Sequence, residues 1–144
     1  MKLHKLLSER LISVDLKADA KLAVVTELAQ LATREQEGLN PDSIAQALLE
    51  RERIMSTAVG HGVAIPHAKT DAVDRIIACL GISRAGIDFD AEEGTRSHLF
   101  FTLLAPQNST DVHLQVLAQI SQLCQTDGFC KQVREAQSPQ QVLQ

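Results

Sequence analysis

Two nearly continuous apolar runs constrain the fold of this chain more than any other feature. Arg75-Ile76-Ile77-Ala78-Cys79-Leu80-Gly81-Ile82-Ser83 and His98-Leu99-Phe100-Phe101-Thr102-Leu103-Leu104-Ala105 are each of strand length. A strand with one wet face alternates apolar and polar residues, so runs without alternation predict strands covered on both faces. Such strands belong inside a sheet with helices on either side. Pro106 stops the second run, and Gly86 to Gly94 reads as a surface excursion closed by turn residues.

The flanking segments supply the helices. Residues 3–8 suggest a short helix or helical turn, and Leu11 to Leu16 alternate as a first strand. Asp19 is placed to cap a helix running to about Gln30–Thr33, with Leu22, Val25, Leu28, Ala29 and Ala32 on one face. After a break at Glu35–Asn40, Asn40-Pro41 starts a second helix reaching about Arg53, because Asn caps well and Pro is tolerated at the first helical position. Ile44, Leu48 and Leu49 carry its buried side. Ser109-Thr110-Asp111 cap a third helix whose apolar positions read as Leu114, Leu117, Ala118, Ser121 and Cys124. Phe129 to Ala136 makes one more helix, and Ser138 to Leu143 a capped last turn. With no linker or repeat, the expectation is a single domain over 1–144. Its class is an α/β three-layer sandwich, a central mixed β-sheet flanked by helices.

Composition narrows the function classes. At 144 residues the chain can bury a core without metal or disulfide staples, and with aromatics at 3% that core rests on Leu, Ile, Val and Ala. Fourteen basic against 18 acidic side chains give a net charge of −4, which disfavours nucleic acid as a partner. The first residues lack an apolar signal core and no run of eighteen apolar residues occurs, so the expected location is the cytoplasm without membrane insertion. Cys79, Cys124 and Cys130 lack CxxC spacing and read as reduced core cysteines.

Between the second helix and the first apolar run lies Gly60-His61-Gly62-Val63-Ala64-Ile65-Pro66-His67-Ala68-Lys69-Thr70. Two glycines permit a tight turn, three apolar residues run extended, and Pro66 stiffens the peptide leading into His67. The pattern delivers an imidazole to the surface in a restricted position. Of the five histidines, His113 is the other one favoured by its place, at a helix start just after a strand, where sites are commonly built. His4 and His98 read as structural or merely exposed. A metal site from His61, His67 and Asp71 matches no zinc spacing, Ser56 and Thr57 have no nucleophile elbow around them, and Gly60-x-Gly62 is too short for a nucleotide fingerprint. Neither a metal nor a cofactor is expected, and Ser56 and Thr57 are assigned to capping or loop hydrogen bonding.

Taken in order, Arg51-Glu52, Ser56-Thr57, Gly62-Val63-Ala64-Ile65-Pro66-His67, Ile87-x-Phe89, Phe101-x-Leu103-Leu104-Ala105-Pro106 and His113-Leu114-x-x-Leu117 carry a resemblance. The chain resembles the enzyme IIA domain of the fructose/mannitol class of the bacterial phosphoenolpyruvate-dependent phosphotransferase system, and its length is similar to the nitrogen-regulatory branch. The resemblance implies that His67 is phosphorylated, that His113 is its active-site companion and that Arg51 lies close by. Lys69 falls where the family often has a basic residue. Met55 and Ala58 stand where many members have glycine.

The resemblance further implies a phosphohistidine carrier rather than a free-standing small-molecule enzyme. An HPr-type carrier protein would be the donor, and a IIB component or a regulatory target the recipient. A rival reading is a binding module whose docking to transporters, kinases or regulators is switched by phosphate. A third is a cytosolic domain related to anion exchangers. Chemistry agrees with the first: imidazole has an unperturbed pKa near 6.5, so a neutral nucleophilic nitrogen is available at pH 7. Phosphoryl transfer then asks chiefly for positioning and charge stabilisation.

Overall fold

In the computed structural model, residues 7–35, 37–60, 62–89, 96–108, 110–126, 128–138 and 142 are described, with residues 60 and 110–113 described by backbone alone. The two apolar runs become its two longest strands. With short strands added on either side, the sheet comprises β1 (Ile12–Ser13), β2 (Ala58–Gly60), β3 (Val63–Ala64), β4 (His67–Lys69), β5 (Ile77–Ile87) and β6 (Ser97–Ala105). Its order is β1-β5-β6-β3-β2, with β4 continuing beside β6. β5 and β6 pair antiparallel, whereas β1 joins β5 and both β3 and β4 join β6 in parallel, so the sheet is mixed.

Alternation along the central strands divides the core into two layers. Ile77, Cys79, Phe100 and Leu104 pack with α1 (Lys21–Ala32) and α2 (Pro41–Ile54) through Val24, Val25, Leu28, Ile44 and Leu48. Ala78, Leu80, Ile82, Leu99, Phe101 and Leu103 pack on the other side with Val116 and Ile120 of α3 (Thr110–Gln125) and Val133 of α4 (Phe129–Glu135). The three-layer α/β sandwich expected from the unalternating runs is what forms. Gly81 lies directly under Leu16 and Leu28: a Cβ there would lie 2.7 Å from one Leu16 methyl and 2.9 Å from a Leu28 methyl, so those side chains would have to shift.

Asn40 caps α2 as expected, its Oδ1 accepting from the Asp42 amide at 2.9 Å, with Pro41 at the first helical position. Asp19 does not cap α1. The helix begins at Lys21 after Ala20, because the Glu27 carboxylate takes the amides of Lys17 and Ala18 and holds that segment extended against the helix. Leu22, expected inside, is 66% exposed. At 100° per residue it lies roughly 100° around α1 from the middle of the stripe formed by Val24, Val25, Leu28, Ala29, Leu31 and Ala32.

On α3 the buried stripe is Val116 and Ile120, with Leu117, Leu123 and Cys124 partly covered, and Leu114 is exposed. Both candidate stripes repeat at three and four residues. The one with Val116 and Ile120 is more apolar than the one with Ala118 and Ser121, and it takes the sheet.

The excursion after Gly86 is also less superficial than its composition suggests. β5 continues to Ile87, and Phe89 is fully buried edge-on to Phe100 with ring centroids 5.2 Å apart. Residues 90–94 lie outside the described set, as do residues 3–6 and most of the turn expected over Ser138–Leu143. The described helical turn near the N-terminus is Glu9–Leu11, and the strand expected over Leu11–Leu16 shrinks to Ile12–Ser13, with a further Leu16 amide to Ile82 carbonyl bond of 2.9 Å.

Candidate functional site

The segment from Gly62 to Thr70 is fastened to β6 along its length. The Gly62 carbonyl accepts from the amides of His98 and Leu99, the Pro66 carbonyl from Leu103, and the Ala105 carbonyl from the amide of Thr70. Gly62 itself sits at φ +81, a left-handed conformation that favours glycine. Proline has no amide to give to a ladder, which is where the extended stretch divides into β3 and β4. The sequence showed only the Val63–Ile65 piece as extended. Beyond the proline, the chain pairs again through His67, Ala68 and Lys69 opposite Leu103, Leu104 and Ala105.

That register decides where the imidazole goes. Paired residues in a parallel ladder share a face, and Leu103 belongs to the α3 and α4 side, whereas Ala68 packs into the α1 and α2 side. His67 is half-buried rather than fully presented to solvent. Its Nδ1 lies 2.6 Å from the Ile65 carbonyl oxygen. A carbonyl only accepts, so Nδ1 carries the hydrogen and, in the neutral ring, Nε2 holds the lone pair. Burial pulls the His67 pKa below 6.5, opposed by the bond to Ile65, with the positive Arg51 pulling down and Glu52 pushing up.

A pH dependence follows. A group whose protonated form is disfavoured by folding costs nothing when neutral in both states. It weakens the fold as pH falls from 6.5 through its lower native midpoint. The expected NMR titration of the His67 ring has its midpoint below that of an unperturbed histidine, and a midpoint at or above 6.5 would show that the bond to Ile65 outweighs burial.

Arg51 stands in the last turn of α2, where its Nη1 donates to the Met55 carbonyl at 2.8 Å and closes the helix end. Met55 is extended, φ −167, so a side chain there costs no strain. His113 falls in the first turn of α3, its side chain outside the described set. The backbone brings that turn to the face and the sheet end occupied by His67, because β6 ends at Ala105, two residues after the partner of His67. Lys69 is half-buried, with its carbonyl accepting from Gln107 Nε2 at 3.4 Å. His98 is a structural residue, its Nδ1 bonded to the Ser83 carbonyl at 3.0 Å.

Sequence reasoning missed Glu52 and its partners. The carboxylate is 7% exposed and accepts from the Thr57 amide at 3.2 Å, from the Thr57 hydroxyl and from Lys21 Nζ at 3.1 Å. Lys21 lies 4.7 Å over the Phe89 ring. This network ties the end of α2 to α1 and to the turn into β2. Ser56 and Thr57 do serve as loop hydrogen-bonders, Ser56 Oγ donating to the Phe89 carbonyl at 2.6 Å. The overlooked signal was periodicity: Glu52 is four residues beyond Leu48 and eight beyond Ile44, on the buried face of α2.

Fold and site together define an α/β sandwich that holds one imidazole, tautomer set, at the end of a short strand beside its central strand. The whole of residues 5–144 matches the family described as "Phosphoenolpyruvate-dependent sugar phosphotransferase system, EIIA 2", and the chain belongs to that family. It is 34% identical over 142 residues to a nitrogen regulatory protein of Bradyrhizobium diazoefficiens, covering 99% of this chain and 92% of that one. It is 30% identical over 143 residues to the fructose-specific EIIABC component of Bacillus subtilis, of which it spans only 22%. Among solved structures it superposes on the nitrogen regulatory protein IIA-Ntr of Neisseria meningitidis with a TM-score of 0.90 at 28% identity, over 98% of this chain and 96% of that one.

Proposed function

We propose that His67 accepts a phosphoryl group from an HPr-type phosphohistidine carrier protein and either passes it to a IIB-type component or holds it as a regulatory signal. The observation that carries the reading is the 2.6 Å contact between His67 Nδ1 and the Ile65 carbonyl, which leaves Nε2 as the nucleophile. As the Nε2–P bond forms, the N–P bond to the donor histidine breaks and its electron pair returns to the donor ring. The three equatorial oxygens carry the spread negative charge, and Arg51 together with His113 supplies the donors that stabilise it.

A protein donor needs a surface to dock on. Ile54 and Met55, 80% and 71% exposed at the end of α2 that carries Arg51, form an apolar patch that suits one. The reaction belongs to the cytoplasm, where such carriers circulate; among the described residues no helix is long and apolar enough to cross a membrane. The regulatory end of the relay is favoured by a relative matched along nearly its whole length that bears the name nitrogen regulatory protein.

The test is incubation with phosphoenolpyruvate, enzyme I and HPr, read by intact mass. One added phosphoryl group is expected. No gain under conditions that phosphorylate a control IIA protein would refute the reading. For His113→Ala, slower acceptance or blocked onward transfer is expected, by about 10²-fold for a removed charge-stabilising donor; unchanged rates in both directions would leave His113 a structural role only.

A further inference from the structure

At the opposite end of β6 from His67 lies a cavity of about 760 Å³ lined by Ser83, Arg84, His98, Lys131, Arg134 and Glu135. Its position is fixed by register. His98 stands five residues before Leu103, the partner of His67, so the two places are separated by about 17 Å of strand. A ligand small enough for one does not reach the other.

The cations converge from separate elements. Arg84 comes from β5, while Lys131 and Arg134, three residues apart, lie on one side of α4. Arg84 Nη2 donates to the Ala136 carbonyl at 3.0 Å. That bond locks the end of β5 to the end of α4 and leaves the other guanidinium N–H groups available. Arg134 reaches back toward β3: its Nη1 lies 3.8 Å from where a Cβ on Gly62 would stand, beside the His98 ring at 3.7 Å. The wall beneath is rigid, with His98 Nδ1 bonded to the Ser83 carbonyl and Ser83 Oγ accepting from the Gly86 amide.

Among the described residues, neither Arg84, Lys131 nor Arg134 forms a contact ion pair, Asp15 acts on Arg84 only at longer range, and Glu135 is the one acid in the lining. Three cations against one anion in a recess of ligand size run counter to the net charge of −4 of the whole chain. Such a distribution repels long polyanions at a distance and attracts compact ones at one place. Guanidinium forks match phosphate and carboxylate geometry.

We infer that this cavity is a binding site for a small, multiply charged oxyanion, separate from the phosphoryl site and independent of the proposed carrier function. The probes are inorganic tripolyphosphate and citrate, titrated by calorimetry into the intact chain and followed by amide NMR. Binding of either at one per chain is expected, and whichever binds more tightly distinguishes phosphate from carboxylate chemistry. Shifts are expected at 83–86, 98 and 131–137. Arg84→Gln with Arg134→Gln should weaken binding by about tenfold or more, and raised salt should weaken it also.

Glu135→Gln should tighten binding severalfold, a gain that damaged folding cannot imitate. The inference is overturned by silence of both probes at millimolar concentration. It is equally overturned by affinity that survives the double arginine variant with its fold intact, by an unchanged or weaker Glu135→Gln, or by shifts centred on Arg51 and His67 instead.

Discussion

His67→Asn is expected to lower phosphoryl acceptance by at least a thousandfold, to the background of the assay, while the protein remains folded. Asparagine can still offer a side-chain amide N–H to the Ile65 carbonyl from nearly the place of Nδ1, but it has nothing at the position of Nε2. The variant therefore separates the two jobs of the ring. Since His67 is half-buried at the start of the three-residue β4, and the Pro66, Lys69 and Thr70 backbones around it keep their own partners, the stability of the variant should fall by no more than about 1 kcal/mol. Intact mass after exposure to the phosphorylated donor reads the first effect and thermal melting the second. Acceptance within tenfold of wild type would move the phosphoryl group to another residue and sink the assignment of Nε2.

What the sequence made legible was whatever depended on two-sided burial. β5 and β6 showed as unalternating runs because both of their faces are covered, and the three layers followed from that together with the helical patterns on either side. Asn40 was legible because a cap and a proline act locally. The misses share a different cause, since each was decided by a contact made outside the segment whose pattern was read. Asp19 loses its capping position to Glu27, which binds the two amides before it. Leu114 cedes the sheet to Val116 and Ile120, and Phe89 is drawn from a polar-looking excursion into the core by Phe100.

At the site, the histidine and its proline approach were visible as a motif, but the tautomer was not. It rests on a 2.6 Å distance to a carbonyl two residues away. Exposure was misjudged for the same reason: pairing with β6 turns the ring toward a helical layer rather than straight into solvent.

The second large effect is expected at Glu52, which touches no reacting atom. Its carboxylate is nearly buried, and its bonds to the Thr57 amide and hydroxyl and to Lys21 join three separate segments. Glu52→Ala takes the acceptor from the Thr57 groups and removes a buried carboxylate from beside Lys21, whose side chain is 23% exposed. A loss of about 3 kcal/mol follows, or roughly 6–12 °C in Tm for a chain of this size. Pairing it as Glu52→Leu with Lys21→Met should recover part of that loss, because an apolar pair removes both desolvated charges together. The single variant should also slow phosphoryl acceptance without abolishing it, since the α2 end that carries Arg51 and the turn into β2 are no longer tied. The His67 midpoint should fall further as well, Glu52 being the charge that raises it. A melting temperature within 2 °C of wild type for Glu52→Ala, about the shift that 1 kcal/mol gives at this size, would mean that water screens the network and that the loop is held by its β6 bonds alone.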